Sequence, residues 1–235
     1  MPLTLPSTSH LQALRDRAAV FERYRGFDRC MRKLLSPSDQ PPAFAAVTEL
    51  YAHWGDPPTQ STESFLRSCL TEAARAEGPI VLCGAGALAF VLGSLCHRGG
   101  REHRQLWCLE HDHHWASIVR SWITQYGIGS THVITSRPRL FERYVWYAVD
   151  VSRLAANVSL VLCDGARATP RGIIGALARL DSRLAAEFVI LARNVTRAED
   201  LRRIQHWAER RDASCVVVDR QEGFVKISRR APDQA

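Results

Sequence analysis

The sequence predicts an α/β protein built on a doubly wound sheet of about seven strands. The sheet is mostly parallel, carries a C-terminal antiparallel hairpin and is preceded by N-terminal helices. Three observations predict this. From Pro79 onward, short apolar runs alternate with amphipathic helical segments. Apolar runs joined through helices imply strands buried on both faces, hence a parallel sheet with right-handed crossovers. The last two apolar runs are separated only by Asp219-Arg-Gln-Glu-Gly223. Five residues cannot hold a crossover helix, so these two strands must pair antiparallel.

The elements follow in order. Helices are expected at about 9–34 and 42–53, separated and bounded by Ser36-Pro-Ser-Asp-Gln-Pro-Pro42 and Gly55-Asp-Pro-Pro58. A third helix starts near Ser61 or Thr62. Phe65, Leu66, Cys69, Leu70 and Ala73 form its apolar face, and Gly78 follows its end. Ile80–Cys83 is the first strand, followed by a glycine turn and a helix to about Cys96. Leu106–Leu109 is the second strand. Asp112 caps the next helix, whose stripe of Trp115, Ile118, Val119, Trp122, Ile123 and Tyr126 reads as core by its spacing. Thr131–Thr135 and Val158–Cys163 are strands three and four. Thr169 and Pro170 suit a helix start. Phe188–Ala192 is strand five, and Thr196-Arg-Ala-Glu199 reads as a capping box opening a helix with Leu201, Ile204 and Trp207 inward. Cys215–Val218 and Phe224–Ser228 make the final hairpin. The aromatic-rich segment Phe141–Val149 has two open readings: it walls the substrate pocket, or it packs beneath the N-terminal helices.

Composition bounds the function. The chain has 235 residues, 46% of them hydrophobic and 23% charged, which suits one core with an accessory segment. We expect residues 1–60 to form the helical segment and 61–230 the sheet domain. No apolar run reaches the roughly 18 residues needed to span a bilayer. Met1-Pro-Leu-Thr-Leu-Pro6 lacks a basic region followed by an apolar stretch, so no signal peptide is expected. The seven cysteines include no C-x-x-C pair, and Cys83, Cys108 and Cys163 lie in strand-like runs. They read as buried free thiols, and the expected location is cytoplasmic. The net charge of +7 comes almost wholly from scattered arginine, with Lys33 and Lys226 the only lysines. Scatter is not the footprint of a nucleic-acid surface, which needs clustering.

Ligands of an open parallel sheet bind beyond the carboxyl ends of its strands. After strand one stands Gly84-Ala85-Gly86, where glycine lets the backbone approach a ligand and start a helix tightly. After strand two stands Glu110, which follows Gly86 by 24 residues. That is close to the roughly 20-residue interval of an acid that accepts hydrogen bonds from a ribose diol. His111, His113 and His114 open the next helix and point in different directions, so no metal site is expected of them.

Together, Gly78-Pro-Ile-Val-Leu-Cys-Gly-Ala-Gly86, Leu106-Trp-Cys-Leu-Glu-His-Asp-His-His-Trp115 and Leu160-Val-Leu-Cys-Asp-Gly165 resemble class I S-adenosylmethionine-dependent methyltransferases of the bacterial small-molecule type, a Rossmann-like fold. The likeness covers about residues 50–230 and includes the final hairpin. It implies that Gly84, Ala85 and Gly86 face the amino-acid part of S-adenosylmethionine and that Glu110 binds its ribose. It places His111 beside the adenine and Asp164 near the methyl-transfer site, as cofactor contact and catalytic residue. Departures are Leu82 for the family's acid before the first glycine, Leu88 for the third small residue, and Ser136-Arg137-Pro138 after strand three. Arg193-Asn194 replaces the Asp-Asn of metal-dependent members, and a cation cannot ligate Mg²⁺, so no catalytic metal is expected. Asp56-Pro-Pro-Thr59 is similar to the Asp-Pro-Pro-aromatic motif of amino-methylating enzymes, but it precedes strand one and lacks the aromatic. Strand four ends in Asp164-Gly165-Ala166 instead, which argues against methylation of a nucleic-acid base. The acceptor expected is a small molecule or saccharide-like compound. Two alternatives stay open: a nicotinamide-nucleotide oxidoreductase, since Gly84-x-Gly86-x-x-Ala89 also fits the dinucleotide fingerprint, and a non-catalytic binding module of the same fold.

Overall fold

The computed structural model describes residues 8–36, 42–55, 60–98, 104–164 and 172–229, with backbone alone for 8–18, 60 and 61. Three helices come first: α1 (Thr8–Leu35), α2 (Phe44–Trp54) and α3 (Gln60–Arg75). The alternating region then runs β1 (Ile80–Cys83), α4 (Ala87–Arg98), β2 (Leu106–Glu110), α5 (His113–Gln125) and β3 (Thr131–Thr135). A small hairpin follows, β4 (Pro138–Phe141) and β5 (Tyr144–Tyr147), and then β6 (Val158–Cys163), α6 (Gly172–Leu180), β7 (Leu184–Ala192), α7 (Ala198–Arg210), β8 (Ser214–Asp219) and β9 (Phe224–Arg229).

Seven strands form one sheet in the order β3-β2-β1-β6-β7-β9-β8. The first five are mutually parallel, and β9 runs antiparallel to both β7 and β8. The predicted hairpin is therefore present, with its second strand inserted inside the sheet and its first at the edge. The switch in strand order falls between β1 and β6. There the chain has wound outward to β3 and returns to start the other half, the place where an open α/β sheet holds its ligands.

Alternation along the strands sorts side chains into two cores. Ile80, Leu82, Leu106, Cys108, Leu160 and Leu162 face α1–α5. Val81, Cys83, Leu109, Val161 and Cys163 face the small hairpin, α6 and α7. This is the two-residue period of a pleated sheet buried on both sides. Phe27 and Met31 of α1 and Val47 and Leu50 of α2 belong to the first core and close over α4, whose residues Ala87–Cys96 are all buried. The helical segment thus shares the sheet's core. Stripping it away would bare the apolar flank of α4.

Two local readings are corrected. The helix after β7 begins at Ala198 with Arg197 as N-cap and no side-chain cap bond, so Thr196-Arg-Ala-Glu199 is not a capping box. Starting one residue later puts Glu199 in the wrong turn position, and its Oε1 accepts from Arg203 Nη2 at 2.6 Å instead. The aromatic segment is the β4–β5 hairpin, and it lies on the face opposite the N-terminal helices. Trp146 and Tyr147 are fully buried there, and a side chain at Gly175 of α6 would collide with Trp146 at 2.6 Å. Asp112 caps α5 as expected, its Oδ1 accepting from the Trp115 amide at 2.9 Å. The Thr169–Pro170 helix start and the Asp56–Thr59 stretch lie outside the described residues. Among the described residues no helix is long and apolar enough to cross a membrane.

One ion pair ties a helix to the antiparallel part of the sheet. Lys226 Nζ of β9 donates to Glu72 Oε1 of α3 at 2.8 Å, and the Glu72 side chain is 4% exposed. Removing the cation takes one charge-assisted hydrogen bond from a buried carboxylate. Lys226→Met is expected to lower stability by about 2 kcal/mol, read by urea unfolding. A loss below about 0.5 kcal/mol would show the pair to be no more than a surface contact.

Candidate functional site

The site is built where β1, β2 and β6 end. Gly84 leaves β1 with φ +118, a conformation that an L side chain resists, so glycine is required by the backbone. Its amide donates to the Leu109 carbonyl at 2.8 Å, which pins the turn to β2. Among the described residues, a methyl at Gly84 or at Gly86 would meet no atom within 4 Å, so they leave the space over the turn open. α4 begins directly after Gly86. Its first-turn amides have no carbonyl four residues back, and the helix dipole places partial positive charge there.

Glu110 ends β2 with its side chain 6% exposed. Its Oε2 accepts from the Ala85 amide at 2.9 Å. Its Oε1 accepts from the amides of His111 at 2.7 Å and Asp112 at 2.9 Å, with His111 Nδ1 at 2.8 Å. The glycine turn and the carboxylate therefore converge on one place, and they touch. This is the arrangement the sequence spacing called for. It also shows a function that spacing alone could not reveal, because Glu110 holds the turn in shape. Each carboxylate oxygen has about two acceptor positions, so Oε1 is filled and the position that remains is on Oε2.

A second brace comes from a residue read as core. Trp115 Nε1 donates to the Ala85 carbonyl at 2.6 Å. Both backbone groups of Ala85 are thus engaged by side chains, from β2 on one side and α5 on the other. Trp115 itself packs against Trp54 of α2, ring centroids 5.2 Å apart. Of the stripe read as core, Val119 and Ile123 are buried, Trp115, Trp122 and Tyr126 are partly buried against that core and Ile118 is partly exposed; nothing in the spacing marked the indole N–H as a donor to the turn.

Asp164 follows β6, and Arg193 follows β7. They meet as an ion pair, Arg193 Nε to Asp164 Oδ1 at 2.7 Å. The Arg193 guanidinium also lies over the Phe65 ring of α3, 5.2 Å from its centroid. The arginine that replaces a metal ligand therefore has a structural use, neutralising and fixing the carboxylate at the neighbouring strand end. Gly165 and Ala166 lie outside the described residues. His111 is brought to Glu110. His113 and His114 are exposed on the first turn of α5 and do not join it. After β3, the Ser136 amide donates to the Glu110 carbonyl at 2.8 Å, and no carboxylate enters the site from that strand.

On the face beneath the crevice, Cys83 and Cys163 are register partners on β1 and β6 with their sulfurs 3.4 Å apart. The hydrogen bond with the Cys83 thiol, and then burial, push Cys163 well above the usual thiol range, so Cys163 stays protonated and unreactive. All the cysteines are free, as expected, and Cys215 alone is not fully buried.

No protein-family model and no curated protein sequence matches the chain. Solved structures do. A methyltransferase from Geobacter sulfurreducens superposes with a TM-score of 0.50 at 15% identity, covering 80% of this chain and 90% of that one. A SAM-dependent methyltransferase from Aquifex aeolicus is similar at a TM-score of 0.45 and 12% identity, covering 75% and 96%. The fold is that of the class I methyltransferases.

Proposed function

We propose that this chain is an S-adenosylmethionine-dependent methyltransferase that acts, without a catalytic metal, on a small-molecule or saccharide-like acceptor. The observation that carries the reading is the meeting of Glu110 with the Gly84–Gly86 turn under open space. The residues present fit the cofactor. Glycines leave room for its amino-acid part, α4 presents the positive end of its dipole, and Glu110 supplies an acceptor for ribose hydroxyls. His111 is placed beside Glu110 to flank the adenine.

The cofactor supplies an already activated methyl on its sulfonium, so the protein's part is chiefly orientation. Glu110 fixes the turn and, through Oε2, one end of the bound nucleoside. Asp164 is the polar group at the adjoining strand end, held in place by Arg193, and is read as orienting the acceptor's hydroxyl or amine. Its pairing with a guanidinium makes orientation a better role for it than proton abstraction, because the ion pair stabilises the carboxylate that a base would have to protonate.

The dinucleotide alternative loses ground on topology. The dinucleotide fold orders its strands 3-2-1-4-5-6, whereas here antiparallel β9 is wedged between β7 and β8. The direct check is thermal unfolding with S-adenosylhomocysteine and with NAD(H), each at about 100 times a micromolar Kd. Saturation at that level adds about 2.7 kcal/mol, which for a chain of this size raises Tm by about 5–10 °C. We expect that rise with S-adenosylhomocysteine and none with NAD(H). The reverse pattern would make the chain a nicotinamide binder, and no shift with either would make it a non-catalytic module.

A further inference from the structure

Away from the crevice, α1 and α2 bring together three side chains with the chemistry of a metal site. Cys30 of α1 is 1% exposed. Glu49 and His53 stand one turn apart on α2, with His53 Nε2 and Glu49 Oε1 4.0 Å apart. One ligand atom from each of the three lies within 4.8 Å of the other two. We propose that Cys30 Sγ, a Glu49 oxygen and a His53 ring nitrogen bind one zinc ion, which clamps α1 to α2.

The donor set points to zinc. Thiolate with imidazole selects against magnesium and calcium, which prefer oxygen throughout. Zinc bonds of roughly 2.0–2.3 Å put tetrahedral ligand atoms about 3.3–3.8 Å apart, so modest side-chain rotation closes the present spacing. Three protein ligands leave a fourth position for water.

Packing supports a built arrangement. Gly26 lies one turn before Cys30, and a Cβ there would come within 2.2–2.5 Å of the His53 ring. The glycine therefore lets the imidazole lie directly against α1, beside the thiol. Arg23 Nη2 donates to the Trp54 carbonyl at 2.9 Å and fixes the end of α2 that carries His53. Charge is balanced. A thiolate and a carboxylate neutralise the ion, and Lys33 Nζ, 3.5 Å from Glu49 Oε2, sits on the outer oxygen while Oε1 faces inward. Arg29 is the other nearby cation and is exposed. Loading replaces the S–H bond by an S–Zn bond and releases the proton to solvent.

The cluster leaves no C-x-x-C pair or histidine run in the sequence. Glu49-x-x-x-His53 is visible as an i, i+4 pair, but Cys30 lies on another helix and only tertiary packing brings it near. The inference does not depend on the cofactor reading, since neither Gly84–Gly86 nor Glu110 takes part.

The test uses the full-length, untagged, chelator-stripped protein and titrates it with Co²⁺, with Zn²⁺ as competitor. We expect one equivalent of Co²⁺ to give a near-ultraviolet thiolate-to-cobalt band that Zn²⁺ abolishes. Cys30→Ala should remove the band although six cysteines remain. Glu49→Gln and His53→Gln, at partly exposed positions, should each weaken Co²⁺ binding by roughly tenfold or more. They keep the thiol and serve even if Cys30→Ala fails to fold. No band in the wild type, a band that survives Cys30→Ala, or unchanged affinity in both His53→Gln and Glu49→Gln overturns the proposal.

Discussion

Gly86→Val is expected to abolish cofactor binding while leaving the fold almost intact. The reason is geometric. A Cβ at residue 86 meets no atom of the described residues within 4 Å, and the residue's φ is not in the left-handed region, so neither their packing nor the backbone resists it. The cost that remains is that of a β-branched residue where the chain enters α4, about 1 kcal/mol, or a Tm drop of about 2–4 °C. The open space that the valine would fill is the space proposed for the amino-acid part of the ligand. Calorimetric titration with S-adenosylhomocysteine should therefore show a loss of at least about 100-fold in affinity, equal to about 2.7 kcal/mol. Tight binding by Gly86→Val would place the ligand elsewhere and remove the central support of the functional reading. Gly84 cannot give so clean a result, because its φ of +118 adds strain to any substitution.

Glu110→Ala should be damaging twice over, to stability and to binding. The carboxylate satisfies the Ala85, His111 and Asp112 amides, and Ala85 is 3% exposed. Truncation leaves the Ala85 donor buried without a partner and the other two to solvent. Each such loss costs about 1–3 kcal/mol when water cannot substitute, so a total near 3 kcal/mol is expected by urea unfolding. The ribose acceptor disappears as well, and S-adenosylhomocysteine affinity should fall by about 100-fold or more, measured well below the lowered Tm. Glu110→Gln separates the two roles. It keeps the volume and one acceptor, but turns an NH₂ toward donors, so it should destabilise less than alanine and still bind poorly. Full binding by Glu110→Gln would leave Glu110 as a brace of the turn and nothing more.

The two experiments read different halves of one arrangement. Gly86→Val blocks the space and spares the frame; Glu110→Ala weakens the frame and removes a contact. A ligand that bound on the opposite face, near the β4–β5 hairpin, would be indifferent to the first and sensitive to the second only through stability.

Much of this arrangement was legible in the chain itself. The apolar runs at Ile80, Leu106, Thr131, Val158 and Phe188 are strands, and all lie parallel in one sheet. Strand burial on both faces leaves a local signal, an unbroken apolar run, and a strand needs no distant partner to reveal it. The five-residue gap fixed the final hairpin for the same reason, since chain length limits what can connect two strands. Glycine followed by an acid at the next strand end marked two groups that meet in the fold. The β4–β5 hairpin was not legible, because Tyr144, Val145, Trp146 and Tyr147 carry no alternation, and the face they cover was settled by the small residue at Gly175 on a later helix.

What the sequence determined by itself was the succession of the seven strands of the main sheet and the helices between them, since these follow from periodicity and from how far a short connection can reach. Tertiary structure alone decided the pairings: Arg193 with Asp164, the Trp115 indole with the Ala85 carbonyl, and Cys30 with Glu49 and His53. Polar contacts between residues far apart in the chain leave no periodic trace. A hydrogen bond or a ligand set needs atoms placed to within a fraction of an ångström, and only the packed fold supplies that placement.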